Sequence, residues 1–298
     1  NRYRTASRIH QTAQPTAYGS WRQHVSNIRL GTSGYSFGDW KGEVYPKNIK
    51  DSEMFDYYLN QFRLNTVEIN YTFYSMPCPP VFEFYARRVP DYFDFAIKLY
   101  NELTHKPCLT NQPDMPDKDL CLRFLAGIQP LTESGKLGCL LAQFPPHLKP
   151  SLKAWDYLKA LRDELGSNKL VYEFRNKAWV SDHAITTLKR EGIGFCAVDC
   201  PQVGPLMPLV PAVTSKIAYL RLHGRNMNWF KVKSVRYDYF YSEEELKKLL
   251  PIVNRMASMS STVYIQFNNC HAGAALRKVK MMQYLLGLDV PPIQGVLF

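Results

Sequence analysis

Three pairs of polar residues sit two positions apart along the chain: Glu68 with Asn70, Glu173 with Arg175, and Arg221 with His223. In an extended strand that spacing puts both members on one face. Each pair ends a short apolar run, and the ends of the other runs add Ser33, Tyr35, Lys98, Gln143, Asp199, Gln266, Asn268 and Asn269. Lys98, Arg175 and Arg221 suit a phosphate or a carboxylate, arginine because its fork grips both oxygens. Glu173, Asp199 and His223 are the acid/base candidates, since burial beside charge tunes such groups toward neutral pH. Asn268 and Asn269 are placed to orient substrate hydroxyls. The pattern describes a site for a small anionic or hydroxylated ligand, with hydrolysis or isomerisation as the reactions it would serve.

Two other readings use the same residues. In one they form a buried ion-pair network, with Glu173 paired to Arg175 and Asp199 to Arg221. In the other, Glu68, Glu173, Asp199 and His223 make an oxygen-rich divalent site. Against a metal, H-x-H and H-E-x-x-H are both absent, so no metal ligand is assigned. Neither a P-loop nor G-x-G-x-x-G occurs, and no cofactor is called for. G-x-S-x-G is also missing, and no Ser-His-Asp set can be assembled.

These residues must be positioned by the runs that carry them. Eight recur: residues 28–34, 66–70, 93–99, 137–144, 169–175, 193–199, 217–223 and 263–268. Most intervals between them carry a helical stripe, such as Met54, Tyr58 and Phe62, or Leu120, Phe124 and Ile128, or Trp155, Leu158 and Leu161. Ser242 and Glu245 form a capping box opening a helix over 243–255, which Pro251 should kink. Residues 274–286 read as a terminal helix. Strand and helix alternating eight times predict a (β/α)8 barrel of the TIM type, an α/β fold whose mouth lies at the carboxyl ends of the strands. The sixth crossover is the exception: CPQVGPLMPLVPAV follows Asp199, and its four prolines exclude a regular helix there.

Composition narrows the classes further. The 298 residues are 46% hydrophobic and 21% charged, as in a globular domain. No run approaches the ~18 apolar residues of a membrane span. Seven cysteines are scattered without a CxxC pair, which fits a reducing compartment. The net charge is +11, and residues 1–38 hold Arg2, Arg4, Arg8, Arg22 and Arg29 before the first acid, Asp39. Residues 1–27 therefore read as a basic arm, and 28–298 as the barrel domain. An Arg- and Ser-rich, acid-poor arm is of the kind that import sequences have, which points to the mitochondrial matrix, with the cytoplasm as the alternative. The chain opens on Asn1, as a processed or trimmed product would. Such an arm would dock on an acidic protein or on RNA. Residues 225–241 interleave four basic residues and six aromatics with one acid. That composition suits single-stranded nucleic acid or, packed on the barrel, a ligand wall.

Several motifs in order give the chain a family resemblance. They are G-T-S-G-Y at Gly31–Tyr35 with Trp40 and Tyr45–Pro46, V-E-I-N at Val67–Asn70 with Phe73–Tyr74, and Ala96–Lys98 with Thr104–His105. Q-F-P-P at Gln143–Pro146, E-F-R at Glu173–Arg175 with Trp179, R-L-H-G at Arg221–Gly224, Tyr237, Tyr239 and Phe267–Asn269 follow. From about Ile28 to Leu288 the chain resembles the YecE-like family, also called domain of unknown function 72. The resemblance implies a TIM-type barrel and no settled activity, and it gives His105 a place on the rim. It departs from the family pattern at Asn176, where His is frequent, and at Lys278–Val279, where Asn-Ala is usual. Three functions compete. The first is an acid/base enzyme on a small phosphorylated or carboxylated compound. The second is a non-catalytic subunit of a large organellar assembly, mitochondrial ribosomal or respiratory. The third is a metal-dependent nuclease-like barrel.

Overall fold

The computed structural model describes residues 27–109, 112–166, 169–231 and 236–288. Eight parallel strands follow one another around a barrel: β1 (Ile28–Thr32), β2 (Thr66–Ile69), β3 (Asp94–Lys98), β4 (Leu137–Gln143), β5 (Leu170–Glu173), β6 (Gly194–Asp199), β7 (Ile217–Leu222) and β8 (Thr262–Phe267). All eight correspond to the runs read from sequence, but most end one or two residues earlier. Asn70, Arg175, His223 and Asn268 therefore lie just beyond the last strand residue, at the mouth.

Seven helices cover the outside: α1 (Met54–Phe62), α2 (Pro79–Arg88), α3 (Lys118–Glu133), α4 (Leu152–Leu165), α5 (Asp182–Arg190), α6 (Glu243–Met259) and α7 (Ala274–Leu285). Sequence punctuation explains several starts. Ser151 and Ser181 accept the amides of Ala154 (3.1 Å) and Ala184 (3.2 Å), and the expected box of Ser242 and Glu245 opens α6. The α6 helix runs unbroken through Pro251 to Met259, past the expected end. Between β6 and β7 there is no helix, as the prolines require. That segment packs through buried Cys200, Leu206 and Met207 and is tied down by the Thr214 hydroxyl donating to the Ile193 carbonyl (2.6 Å).

Every neighbouring pair of strands has a ladder, that of β3 with β4 shifting register between Phe95 and Ala96, except β1 and β2. There a single bridge, Ser33 with Glu68, joins the backbones. Side chains complete the closure. Asn65 accepts the Leu30 amide and donates to the Ile28 carbonyl, both at 2.8 Å. The Tyr58 hydroxyl joins the Thr32 amide (3.3 Å) to the Thr66 carbonyl (3.2 Å). Gly31 allows the approach, because a methyl group there would come within 2.2 Å of the Thr66 carbonyl oxygen.

The basic arm lies outside the described residues except for Asn27, whose amide donates to the Ala257 (3.1 Å) and Ser260 (3.2 Å) carbonyls. Among the described residues no helix is long and apolar enough to cross a membrane.

Candidate functional site

Strand register decides which polar groups meet. Glu68 is level with Ala96, Gln143 with Glu173, and Arg221 with both Val198 and Gln266. Level residues of parallel neighbours point the same way, so these line the barrel interior, and residues two further on line its mouth. Asp199 is level with Leu222 instead, on the set that faces the helices.

At the centre lies Arg221, 1% exposed and gripping two carboxylates. Its Nη2 donates to Glu68 Oε1 (2.5 Å) and its Nη1 to Glu173 Oε2 (2.7 Å). The second Glu68 oxygen accepts the Tyr219 hydroxyl at 2.7 Å. Glu173 Oε1 forms an ion pair with Arg175 Nε (2.5 Å) and accepts His223 Nε2 (3.2 Å). Thus all four carboxylate oxygens are taken, and both glutamates are wholly buried. Burial opposes the charge on Glu173, but Arg175, Arg221 and His223 outweigh it and hold its carboxyl well below the usual carboxylate range.

His223 is neutral. Burial, reinforced by Arg175, pushes its imidazole down to about 3 against the pull of Glu173. The Asn268 amide lies 2.8 Å from Nδ1. With that amide donating, the single ring proton sits on Nε2 and is given to Glu173. Both ring nitrogens are therefore engaged.

The cations are less well served. Arg175 reaches Gln143 Oε1 at 3.2 Å. Arg221 Nε is buried and has no hydrogen-bond partner among the described residues. Lys98 ends β3 with its ammonium over the face of Phe73, 4.2 Å from the ring centroid, and finds no hydrogen-bond acceptor among the described residues. Burial, then the nearby Arg221, pushes it down to about 7, against the attraction of Glu68 and Glu173. His105 sits edge-on to the same Phe73 ring at 4.8 Å, and burial with Lys98 and Arg175 pushes it down to about 4. Its Nδ1 is 3.0 Å from the Thr104 hydroxyl.

Beside Glu68 a cavity of about 200 Å³ is lined by Tyr35, Asn70, Tyr71 and Tyr85 among others. Tyr35 and Tyr85 share a hydroxyl contact of 2.7 Å, whereas Asn70 Oδ1 is buried without a partner. Gln266 is also wholly buried, with both amide atoms unpartnered, level with Arg221.

A match to the model for "Protein of unknown function DUF72" spans residues 29–295. The chain belongs to the DUF72 family. It is 27% identical to the UPF0759 protein YunF of Bacillus subtilis, over 88% of this chain and 95% of that one. The solved DUF72 structure from Thermotoga maritima superimposes with a TM-score of 0.81 at 37% identity, covering 87% of this chain and 99% of that one. One from Enterococcus faecalis gives 0.75 at 25%, covering 91% and 99%. The DUF72 motifs separate into two kinds of work here. Trp40, Tyr45 and Trp179 are packing residues, whose polar atoms donate to the carbonyls of Cys270 (2.6 Å), Tyr35 (2.7 Å) and Leu148 (2.8 Å). V-E-I-N, Ala96–Lys98, E-F-R and R-L-H-G supply the mouth. At the two departures, Asn176 bridges the Ala178 amide (3.0 Å) and the Pro146 carbonyl (2.6 Å), and Lys278 lies 4.2 Å over the Phe240 ring.

Ser33, Glu68, Lys98, Gln143, Glu173, Arg175, Arg221, His223 and Asn268 are brought together, with His105 beside Lys98 and with Tyr35 and Asn70 in the adjoining cavity. Asp199 and Asn269 are not. The expected pairing of Asp199 with Arg221 is replaced: Arg225 grips both Asp199 oxygens at 3.0–3.1 Å, and the Tyr241 hydroxyl adds a bond of 2.6 Å. Asn269 donates to the Tyr239 carbonyl (2.8 Å), holding the same segment. The four-residue divalent site is not assembled, because the Arg221 guanidinium occupies the space between Glu68 and Glu173 and Asp199 faces elsewhere. Among the described residues no other cluster of His, Cys, Asp or Glu could hold a metal. Phe73 was missed as a site residue. Tyr237, 5.9 Å from His223, forms part of the wall over the mouth. Its signal was the aromatic run 225–241, read there as packing or a ligand wall.

Proposed function

We propose that the mouth binds a small phosphorylated or carboxylated, hydroxyl-bearing compound and exchanges a proton with it. The reading is carried by a charge imbalance that arises whenever Lys98 is protonated: among the described residues Lys98, Arg175 and Arg221 face the carboxylates of Glu68 and Glu173, whose oxygens are all engaged. An anion is the partner this arrangement lacks. The side-chain Oδ1 of Asn70, unpartnered among the described residues, offers an acceptor for a ligand hydroxyl in the cavity beside Glu68. Glu173 and His223 act as a fixed pair that orients Arg175 and Arg221, and Lys98 is the group poised to gain or lose a proton near neutral pH.

The test is calorimetric titration of sulfate and inorganic phosphate into the full chain and into Lys98→Met and Arg175→Met. Saturable binding by the parent, weakened at least ~10-fold in each variant by loss of a charge-assisted contact, is expected. No saturable binding, or variants that bind as the parent does, would reject the site.

A further inference from the structure

Half-buried Lys98 differs from the buried lysines Lys136 and Lys280. Lys280 is 9% exposed, and its Nζ donates to the Phe62 carbonyl (3.0 Å) at the end of α1. Lys136 donates to the Pro90 carbonyl (2.8 Å) and pairs with Asp91 (2.9 Å). Each has an architectural duty. Lys98 has none: its Nζ holds no hydrogen-bond acceptor among the described residues and rests on an aromatic face inside the mouth. Arginine cannot shed its proton in a protein, so Arg175 and Arg221 stay charged beside it. Desolvation and a neighbouring cation are the two devices by which an amine is made nucleophilic.

We propose that Lys98 is a nucleophilic amine that condenses with the carbonyl carbon of an anionic aldehyde or ketone held in this mouth. This deepens the anion-binding reading and rests on it. The Lys98 ammonium first releases a proton, and the freed lone pair forms the C–N bond while the carbonyl π pair moves to oxygen, which takes up the proton that the newly cationic nitrogen sheds. The resulting hydroxyl takes the proton first released and leaves as water, and the nitrogen lone pair closes the C=N bond. In sum, an ammonium and a carbonyl give a protonated imine and water, with no oxidant, reductant or other co-reactant. The imine carries its positive charge where the ammonium carried it, over Phe73 and near Glu68 and Glu173. The mouth therefore stabilises reactant and product cation alike. Arg175, held on Glu173 and among the described residues otherwise bonded only to Gln143 at 3.2 Å, is the group to hold the anionic end. A free amine at neutral pH supports the assignment, since burial and Arg221 bring Lys98 down to about 7.

The experiment is reductive trapping at pH 7 with glyoxylate as the anionic aldehyde and formaldehyde as the neutral one, each with cyanoborohydride, read by peptide mass mapping. Lys98 should be labelled by both at least ~10-fold faster than exposed lysines, because far more of it is unprotonated. Excess sulfate should slow the glyoxylate reaction at Lys98 and leave surface sites unchanged. Lys98→Arg should lose the fast site. Labelling of Lys98 no faster than surface lysines, with sulfate binding intact, overturns the amine role and spares the anion site. Absence of saturable sulfate binding overturns both.

Discussion

Two carboxylate–arginine clusters lie at the same end of the barrel and balance charge in opposite ways. In the outer one, Asp199 and Glu245 share Arg225, and their oxygens also take the Tyr241 and Tyr239 hydroxyls and the Ser242 amide. Acids outnumber cations there, but the Arg225 and Glu245 side chains are 35% and 21% exposed, so water tolerates the excess. In the inner one, Arg221 and both glutamates are sealed from water, and cations outnumber acids. Its unmet charged groups, among the described residues, are donors: Lys98 Nζ and Arg221 Nε. One cluster is a clamp holding the segment after β7 against the barrel. The other is a cradle lacking an anion.

Replacing the central cation should break the inner cluster most severely. Arg221→Met leaves Glu68 and Glu173 buried without their shared partner, and a loss of about 3–5 kcal/mol in urea unfolding is expected. A loss under about 1 kcal/mol would mean that the glutamates find other partners or water. Asp199→Asn should weaken the clamp. The expected cost is about 1.5–3 kcal/mol, as for hydrogen bonds to a charged group, with faster proteolysis within 225–241. Sulfate affinity should stay within about twofold, since the clusters share no side-chain partner. A larger drop would show that the clamp and the cradle are one unit.

The same contrast explains how much of the molecule was legible in its sequence. Apolar runs fixed all eight strands, and the prolines after Asp199 marked the crossover without a helix. The inner cluster was legible because i, i+2 pairs carry their own alternation, as Glu173 with Arg175 and Arg221 with His223 do. The direction of Asp199 was not legible for the opposite reason. β6 carries no polar pair two residues apart from which to count which way its last residue points. Arg225 as partner of Asp199 depends on the path of an aperiodic loop, which no spacing encodes. Protonation was likewise illegible. His223 seemed poised near neutrality by its type, whereas burial and Arg175 keep it neutral. Lys98 took that role through its surroundings, with nothing in its own sequence neighbourhood to set it apart.

Lys98 supplies the smallest change in stability and the finest test of the comparison. Its ordinary value is 10.5 and its folded value about 7. Between those two pH values the unfolded chain binds the proton that the folded chain has released, so stability contributed by this group rises with pH. Below about pH 7 both states are protonated, and the folded state carries the full cost of a desolvated ammonium. Lys98→Met removes that cost. The variant should therefore unfold at higher urea than the parent at pH 6, and its advantage should shrink steadily toward pH 10. The direction is opposite to that of Arg221→Met, although both changes delete a cation of one cluster. Arg221 is paired on both sides, and Lys98 is paired on neither. Saturating sulfate should supply the absent partner, raise the stability of the parent at pH 6 and leave Lys98→Met nearly unmoved. Parallel pH profiles for parent and variant would mean that the Lys98 ammonium is as well solvated as one on the surface, and the cradle would then hold no unmet charge.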